Sequence, residues 1–155
     1  MSGAGKADAL AQLVGLDGDP FELVVELGKV REFARATHVQ DPTYLQSAEP
    51  AITPTFLVSA AHWAPHERAL LERIPGEPSR RLHGEQEFSF PGSPPRAGDR
   101  LRGRSRIDAA YEREGRRGGR LRFYVLETTF CDERGALVAV ARTTVVETAR
   151  APAES

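Results

Sequence analysis

Residues Arg120 to Ala149 read RLRFYVLETTFCDERGALVAVARTTVVETA. On each side of Asp132-Glu133-Arg134-Gly135, β-branched and aromatic residues recur at alternate positions, the period of a strand with one buried face. The turn residues between them fold the second run back on the first. Outward from this hairpin the pattern repeats. DRLRGRSRIDAAY (Asp99 to Tyr111) alternates in the same way and joins RLRFYVLETTFC through YEREGRRGGR, which reads as a hairpin tip. EQEFSF (Glu85 to Phe90) adds a further strand, and Pro-Gly, Pro-Pro and Gly-Gly pairs punctuate the series.

Before Arg81 the period changes. KADALAQLVGL (Lys6 to Leu16) reads as a short helix stopped by Gly18, and Asp19-Pro20 turns the chain into FELVVE, a strand. Val30, Phe33, Ala34 and Thr37 fall at i, i+3, i+4 and i+7, which predicts a helix over Lys29 to Thr37 with one buried stripe. Asp41-Pro42 ends it, because the residue before a proline is pushed out of the helical region. TPTFLVSAAHW then opens with Thr53 as N-cap and Pro54 as first helical residue, and is apolar nearly all round from Phe56 to Trp63. A helix apolar on every side is a buried one. The expected class is therefore α+β, an antiparallel sheet wrapped around a central helix.

A length of 155 residues suits a single domain over residues 1–155. Residues 1–8 and the tail from about Arg150 read as frayed ends, which leaves about residues 10–149 as the ordered core. A net charge of −1 lacks the basic excess that phosphate backbones demand, so nucleic acid is not an expected partner. No apolar run approaches the roughly 20 residues of a membrane span, and no secretory signal is read at the start, so a cytoplasmic location is expected. With Cys131 as the only cysteine there is no intrachain disulfide and no cysteine-based zinc site. Neither a metal nor a cofactor is predicted.

Four segments together carry a family resemblance: KVREFARATHVQDPTYL, ITPTFL, RLHGEQEFSF with PPRAGDRL, and the paired strands around ETTFCDERGALVAVARTTVV. In this order and spacing they resemble the N-terminal-type domain of the MaoC-like dehydratases, also called the fatty-acid-synthase-type dehydratase domain, from about Leu13 to Thr148. The resemblance implies a single hotdog fold, pairing of two hotdogs into one functional unit, and acyl thioesters as ligands. Catalytic relatives interconvert a trans-2-enoyl thioester with its (3R)-hydroxyacyl form. They carry Gly-Asp-x-Asn-Pro-x-His on the segment that here reads HVQDPTY. The pattern's Gly falls at His38, its Asp at Val39, its Asn at Asp41, its Pro at Pro42 and its His at Tyr44. Hydration needs a base for the water proton and an acid for the α-carbon. Val39 has no proton to trade, and a phenol with a reference pKa of about 10 is a poor base near neutrality.

The resemblance also marks where a substrate would lie. Tyr44 and Val39 either line an acyl channel or pack beneath the loop. The amides of Thr55 and Phe56, at the start of the central helix, are candidates to polarise a thioester carbonyl. His83, Glu85 and Glu87 stand at two-residue spacing, on one strand face, either in a site or at an exposed edge. His38 reads as a helix-end residue, and Asp41 as a helix stop. His62 and His66 are four apart but lack a third metal ligand, and His62 with Trp63 reads as packing near the helix end. Ten arginines between Arg96 and Arg122 would suit coenzyme A phosphates or an acidic carrier protein, or else solvated strand faces around a hairpin tip. Cys131 reads as a small packing residue.

The leading expectation is a non-catalytic hotdog subunit of a (3R)-hydroxyacyl-thioester dehydratase or enoyl-thioester hydratase, taking acyl-CoA or acyl-carrier-protein thioesters. Its partner would be a catalytic MaoC-like hotdog subunit. The alternatives are a self-dimer acting alone as hydratase or thioesterase through His38, Asp41, His83 or Glu85, and an acyl-CoA binding module without chemistry.

Overall fold

The computed structural model describes residues 9–116 and 119–149. Five strands form one antiparallel sheet: β1 (Phe21–Val24), β2 (Arg81–Ser89), β3 (Arg100–Glu114), β4 (Arg120–Cys131) and β5 (Leu137–Glu147), in the order β1-β3-β4-β5-β2. The fold is a hotdog, and the class is α+β as the sequence predicts. The long hairpins sit where the alternation places them, with Ile107 opposite Leu126 and Phe130 opposite Ala139. On β3 the even-numbered arginines Arg100, Arg102, Arg104 and Arg106 face outward while Leu101, Gly103, Ser105 and Ile107 face in. The expected frayed ends fall on residues outside the described range.

Four helical departures have physical causes. At the start, helix is present over residues 9–11, and Gly15 at φ +85°, rather than Gly18, turns the chain. Gly18 instead donates its N–H to the Ser105 carbonyl at 2.8 Å, so residues 15–18 extend the sheet beside β3. Helix α1 (Leu27–Ala36) buries Val30 and Ala34 as predicted but stops well before Asp41. Its end is a Schellman turn: Val39 N–H reaches the Ala34 carbonyl at 2.8 Å, His38 N–H reaches Arg35 at 3.0 Å, and His38 sits in the left-handed region at φ +58°. Asp41-Pro42 therefore starts a helix and does not end one. Asp41 caps the short α2 (Pro42–Leu45) by accepting from the Thr43 amide at 2.8 Å, with Pro42 at the first position.

The predicted central helix is also broken. Phe56–Ser59 winds as a 3₁₀ turn, and only Ala60–Trp63, α3, is α-helical. Ser59 Oγ donates to the Phe56 carbonyl at 2.6 Å, an i−3 bond that fits the tighter winding. Ala64 is extended, as the residue before Pro65 should be, and α4 (His66–Glu72) follows. Thr53 does not act as the expected N-cap: its Oγ1 is buried without a hydrogen-bond partner, and its carbonyl accepts from Phe56 N–H at 3.0 Å. The segment is buried only at its start. Phe56, Leu57 and Ala60 are core, whereas Val58 and Trp63 are 45% and 46% exposed.

The core divides into two apolar clusters. One gathers Leu23, Val30, Phe56, Leu57, Leu101 and Phe130 beneath the 3₁₀ turn. The other gathers Leu70, Ile74, Ile107, Tyr124, Leu126 and Val145 beneath α4. Among the described residues no helix is long and apolar enough to cross a membrane.

Candidate functional site

Between the two apolar clusters runs a polar seam. Ser105 on β3, Thr128 on β4 and Thr143 on β5 occupy inward positions where the alternation calls for apolar residues, and all three are buried. Ser105 Oγ and Thr128 Oγ1 lie 2.6 Å apart, and Thr128 reaches Glu67 Oε1 at 3.4 Å. Thr143 Oγ1 lies 2.9 Å from the same Glu67 oxygen and 3.0 Å from Gln86 Oε1. Gln86 donates its amide to the Arg142 carbonyl at 3.2 Å, which fixes which end of the amide faces the seam. His83 Nε2 is 3.2 Å from Gln86 Oε1. The first turn of α4 thus drops one carboxylate onto the hydroxyls of two strands, with Ser105 of a third behind Thr128.

A cavity of about 220 Å³ opens over this seam, lined by Leu57, Val58 and Ala61 from the central segment, Phe88 and Phe130 from the sheet, and the polar groups His66, Glu67, His83, Gln86 and Thr143. His66 stacks on Phe21 with ring centroids 4.0 Å apart, and its Nδ1 bonds the Ala64 carbonyl. A carbonyl only accepts, so Nδ1 carries the proton and Nε2 keeps its lone pair in the neutral ring. Burial holds the His66 imidazole below the usual histidine value, against the opposing pull of the Ala64 carbonyl and the Glu67 carboxylate. Phe21 reaches His66 by lying across Gly103, where a Cβ would stand 2.1 Å from the ring.

The residues singled out from sequence do not converge. Of Tyr44, Thr55, Phe56 and His83, only His83 lines this cavity. Phe56 is fully buried against Phe33, with ring centroids 5.6 Å apart, and its N–H is engaged by Thr53. Thr55 is exposed, and Val39 and Tyr44 are half-buried outside the cavity lining. The expected row His83, Glu85, Glu87 is broken by a bulge between His83 and Glu85, which inserts Gly84 and turns His83 to the face shared by Gln86 and Phe88. Asp41 has its carboxyl held below the ordinary value by the Thr43 hydroxyl and amide. His62 packs edge-on to Trp63, and Lys29 Nζ sits 4.0 Å over the Trp63 ring. Among the described residues no cluster of three or more His, Cys, Asp or Glu side chains could hold a metal.

Much of the arginine run is neutralised. Arg104 pairs with Asp17 at 3.3 Å, Arg106 with Asp108 at 3.2 Å, and Arg120 and Arg122 with Glu112 at 3.3 and 3.0 Å. Arg113 lies over the stacked rings of Tyr111 and Phe123. Arg117 falls outside the described residues.

A family described as "FAS1-like, dehydratase domain region" matches residues 12–141. The chain belongs to that family. That match agrees with the MaoC-like resemblance of the quoted segments. This family member is 35% identical over 135 residues to a UPF0336 protein of Streptomyces griseus subsp. griseus, covering 82% of this chain and 85% of the relative. Its fold matches the HadBC (3R-hydroxyacyl-ACP dehydratase) complex of Mycobacterium tuberculosis with a TM-score of 0.71 at 24% identity, over 86% of this chain and 96% of that one. A MaoC-like dehydratase matches with a TM-score of 0.72 at 25% identity over 89% of this FAS1-like chain, which spans only 43% of that protein.

Sequence reasoning missed the seam itself. The signal was present: Ser105, Thr128 and Thr143 each break an apolar row at the inward parity of three neighbouring strands. Glu67 and His66 gave no comparable signal, because α4 is a short helix whose docking depends on the turn at Ala64-Pro65.

Proposed function

We infer that this protein is a hotdog subunit without its own hydration chemistry, which pairs with a catalytic MaoC-like hotdog to form a (3R)-hydroxyacyl-thioester dehydratase or enoyl-thioester hydratase. The observation that carries this reading is Val39 and Tyr44 at the positions of the family's Asp and His, on a loop whose Schellman turn and Asp41-Pro42 cap keep it ordered. The loop retains a shape and lacks the acid and base. The cavity beside Leu57, Val58 and Phe88 is read as this subunit's share of an acyl channel. Exposed Val58, Trp63 and Leu82, together with β2 at the sheet edge, form the surface offered to the second hotdog. Its acyl group arrives as a coenzyme A or carrier-protein thioester.

The test is loss of enoyl absorbance with crotonyl and longer enoyl thioesters, for the protein alone and mixed with a catalytic MaoC-like partner. Silence alone and turnover in the mixture is the expected result. Turnover by the protein alone at ordinary enzyme rates overturns it. One observation favours a second reading, a self-dimer with thioesterase or hydratase activity: His66 offers an unprotonated Nε2 in the cavity. In that case His66→Gln abolishes the activity of the protein alone.

A further inference from the structure

The outer face of the sheet carries a pattern that packing against the core does not explain. Tyr111 on β3, Phe123 on β4 and Val146 on β5 stand side by side in register, with Leu82 of β2 at the margin. By strand parity these side chains point away from the core, and neither apolar cluster includes them. The Tyr111 and Phe123 rings stack on each other there, with centroids 5.0 Å apart. Along β4 and β5 the outward rows continue as Val125 beside Thr144, Glu127 beside Arg142, and Thr129 beside Val140. The Glu127 carboxylate and the Arg142 guanidinium meet at 3.5 Å. A contiguous apolar row that the core does not use marks an interaction surface.

The order of charges says what covers it. A twofold axis lying in this face, along the strands and midway between β4 and β5, sets each β4 residue opposite its own register partner on β5 of a second copy. Phe123 then meets Val146, Val125 meets Thr144 and Thr129 meets Val140. Glu127 meets Arg142 in both directions, so two ion pairs within the chains become a ring of alternating charges. An axis across the strands instead sets each charge against its own copy or slides it onto the apolar rows, and like charges across an interface are repelled. We propose that the outer face of the sheet docks a second copy of this chain, back to back across the axis that runs along the strands. Such a contact is isologous, the kind that closes soluble homo-oligomers. Sheets pack in this way about 10 Å apart with strand directions within about 30°. Four strands at about 4.8 Å spacing and about nine residues at 3.4 Å each offer roughly 600 Å² per copy, so roughly 1,200 Å² in all, the lower end of stable interfaces. The contact is separate from the free edge of β2 and does not depend on a catalytic hotdog pairing there. Where both form, two hotdog pairs are joined through this subunit.

The experiment is sedimentation velocity on the full-length protein at about 1 to 100 μM, the range suited to an interface of this size. The unsubstituted protein sediments at twice the mass of Phe123→Lys, whichever state the β2 edge sets. Glu127→Arg and Arg142→Glu each halve the mass as well, because each places like charges across the axis. Mixing these two variants restores the doubled mass. One copy then carries both guanidinium groups and the other both carboxylates, so contacts between copies are unlike again while those within each chain stay like. Equal masses for the unsubstituted protein and its variants overturn the inference, the face then being free or covered by a different protein. Halved masses that mixing does not restore overturn it too, since the charges then act only within one chain. Thr144→Lys, facing Val125 of the second copy, carries the test where a charge reversal loses the native melting transition: a halved mass is expected and an unchanged one overturns the inference.

Discussion

His38 carries backbone strain that its side chain does nothing to relieve. A non-glycine residue in the left-handed region costs about 1 kcal/mol, and the Schellman turn of α1 requires that conformation at this position. His38→Gly should raise stability by about 1 kcal/mol, read as a higher urea midpoint at unchanged slope; no gain would mean that the ring makes a compensating contact in the assembled protein. The family pattern's glycine falls here, and its physical meaning is a helix terminus. That much was visible in the letters, but the turn itself was not, since Asp41-Pro42 offered an apparently sufficient stop three residues later. His66 gives a prediction of the opposite kind. Its pKa in the folded protein lies below the unfolded value of about 6.5, so the unfolded chain binds the proton more readily. Stability from this group is fully present above about pH 6.5 and is lost as pH falls through the lower folded value. His66→Gln should flatten the stability profile over that interval. An unchanged slope, or a His66 NMR titration at the ordinary value, would remove burial as its cause.

At the scale of elements, two glycines in strands decide where the site residues point. Gly84 occupies the bulge in β2, and the one extra residue moves His83 from the outer row of Glu85 and Glu87 to the inner row of Gln86. Strict alternation cannot register such an insertion, which is why the two-residue spacing of His83, Glu85 and Glu87 was misleading. Gly103 allows Phe21 to lie flat across β3 and so to carry the His66 ring. Gly103→Ala places a Cβ 2.1 Å from Phe21 Cζ and should cost about 1–3 kcal/mol, the range for forced overpacking. Adding Phe21→Leu should recover part of that loss in thermal denaturation; strictly additive penalties would show that the two residues do not meet. The strands were readable because long alternating runs state their own parity. The central segment was not, because a 3₁₀ turn and an α-helix bury the same first residues, so the apolar pattern does not choose between them.

At the scale of the whole molecule, one buried ion pair ties the helical layer to the sheet. Arg81 and Glu147 meet at 3.2 Å with both side chains 8% exposed, and the same guanidinium donates to the carbonyls of Leu71 and Ile74 at 2.8 Å. Arg81→Met should cost about 3–5 kcal/mol, because it takes the closer partner from a buried carboxylate and leaves the Ile74 carbonyl without its guanidinium donor. A loss below about 1 kcal/mol by denaturant titration would show that Arg122, 3.4 Å from Glu147, suffices alone. The overall architecture was legible from parity, turn residues and family resemblance acting together. The division of the core by a polar seam was not, since it needs the register of three strands at once. The paired arginines of the outer face have a consequence for kinetics. Charges that cancel across about 3 Å, as at Arg104–Asp17 and Arg106–Asp108, leave little field beyond a Debye length of roughly 8 Å at physiological salt, whereas Arg120 and Arg122 share the one carboxylate of Glu112 and keep a positive surplus at the hairpin end. Encounter with an acidic surface through the Arg104 and Arg106 stretch should be nearly indifferent to ionic strength, and through the Arg120 and Arg122 end it should slow as salt is raised.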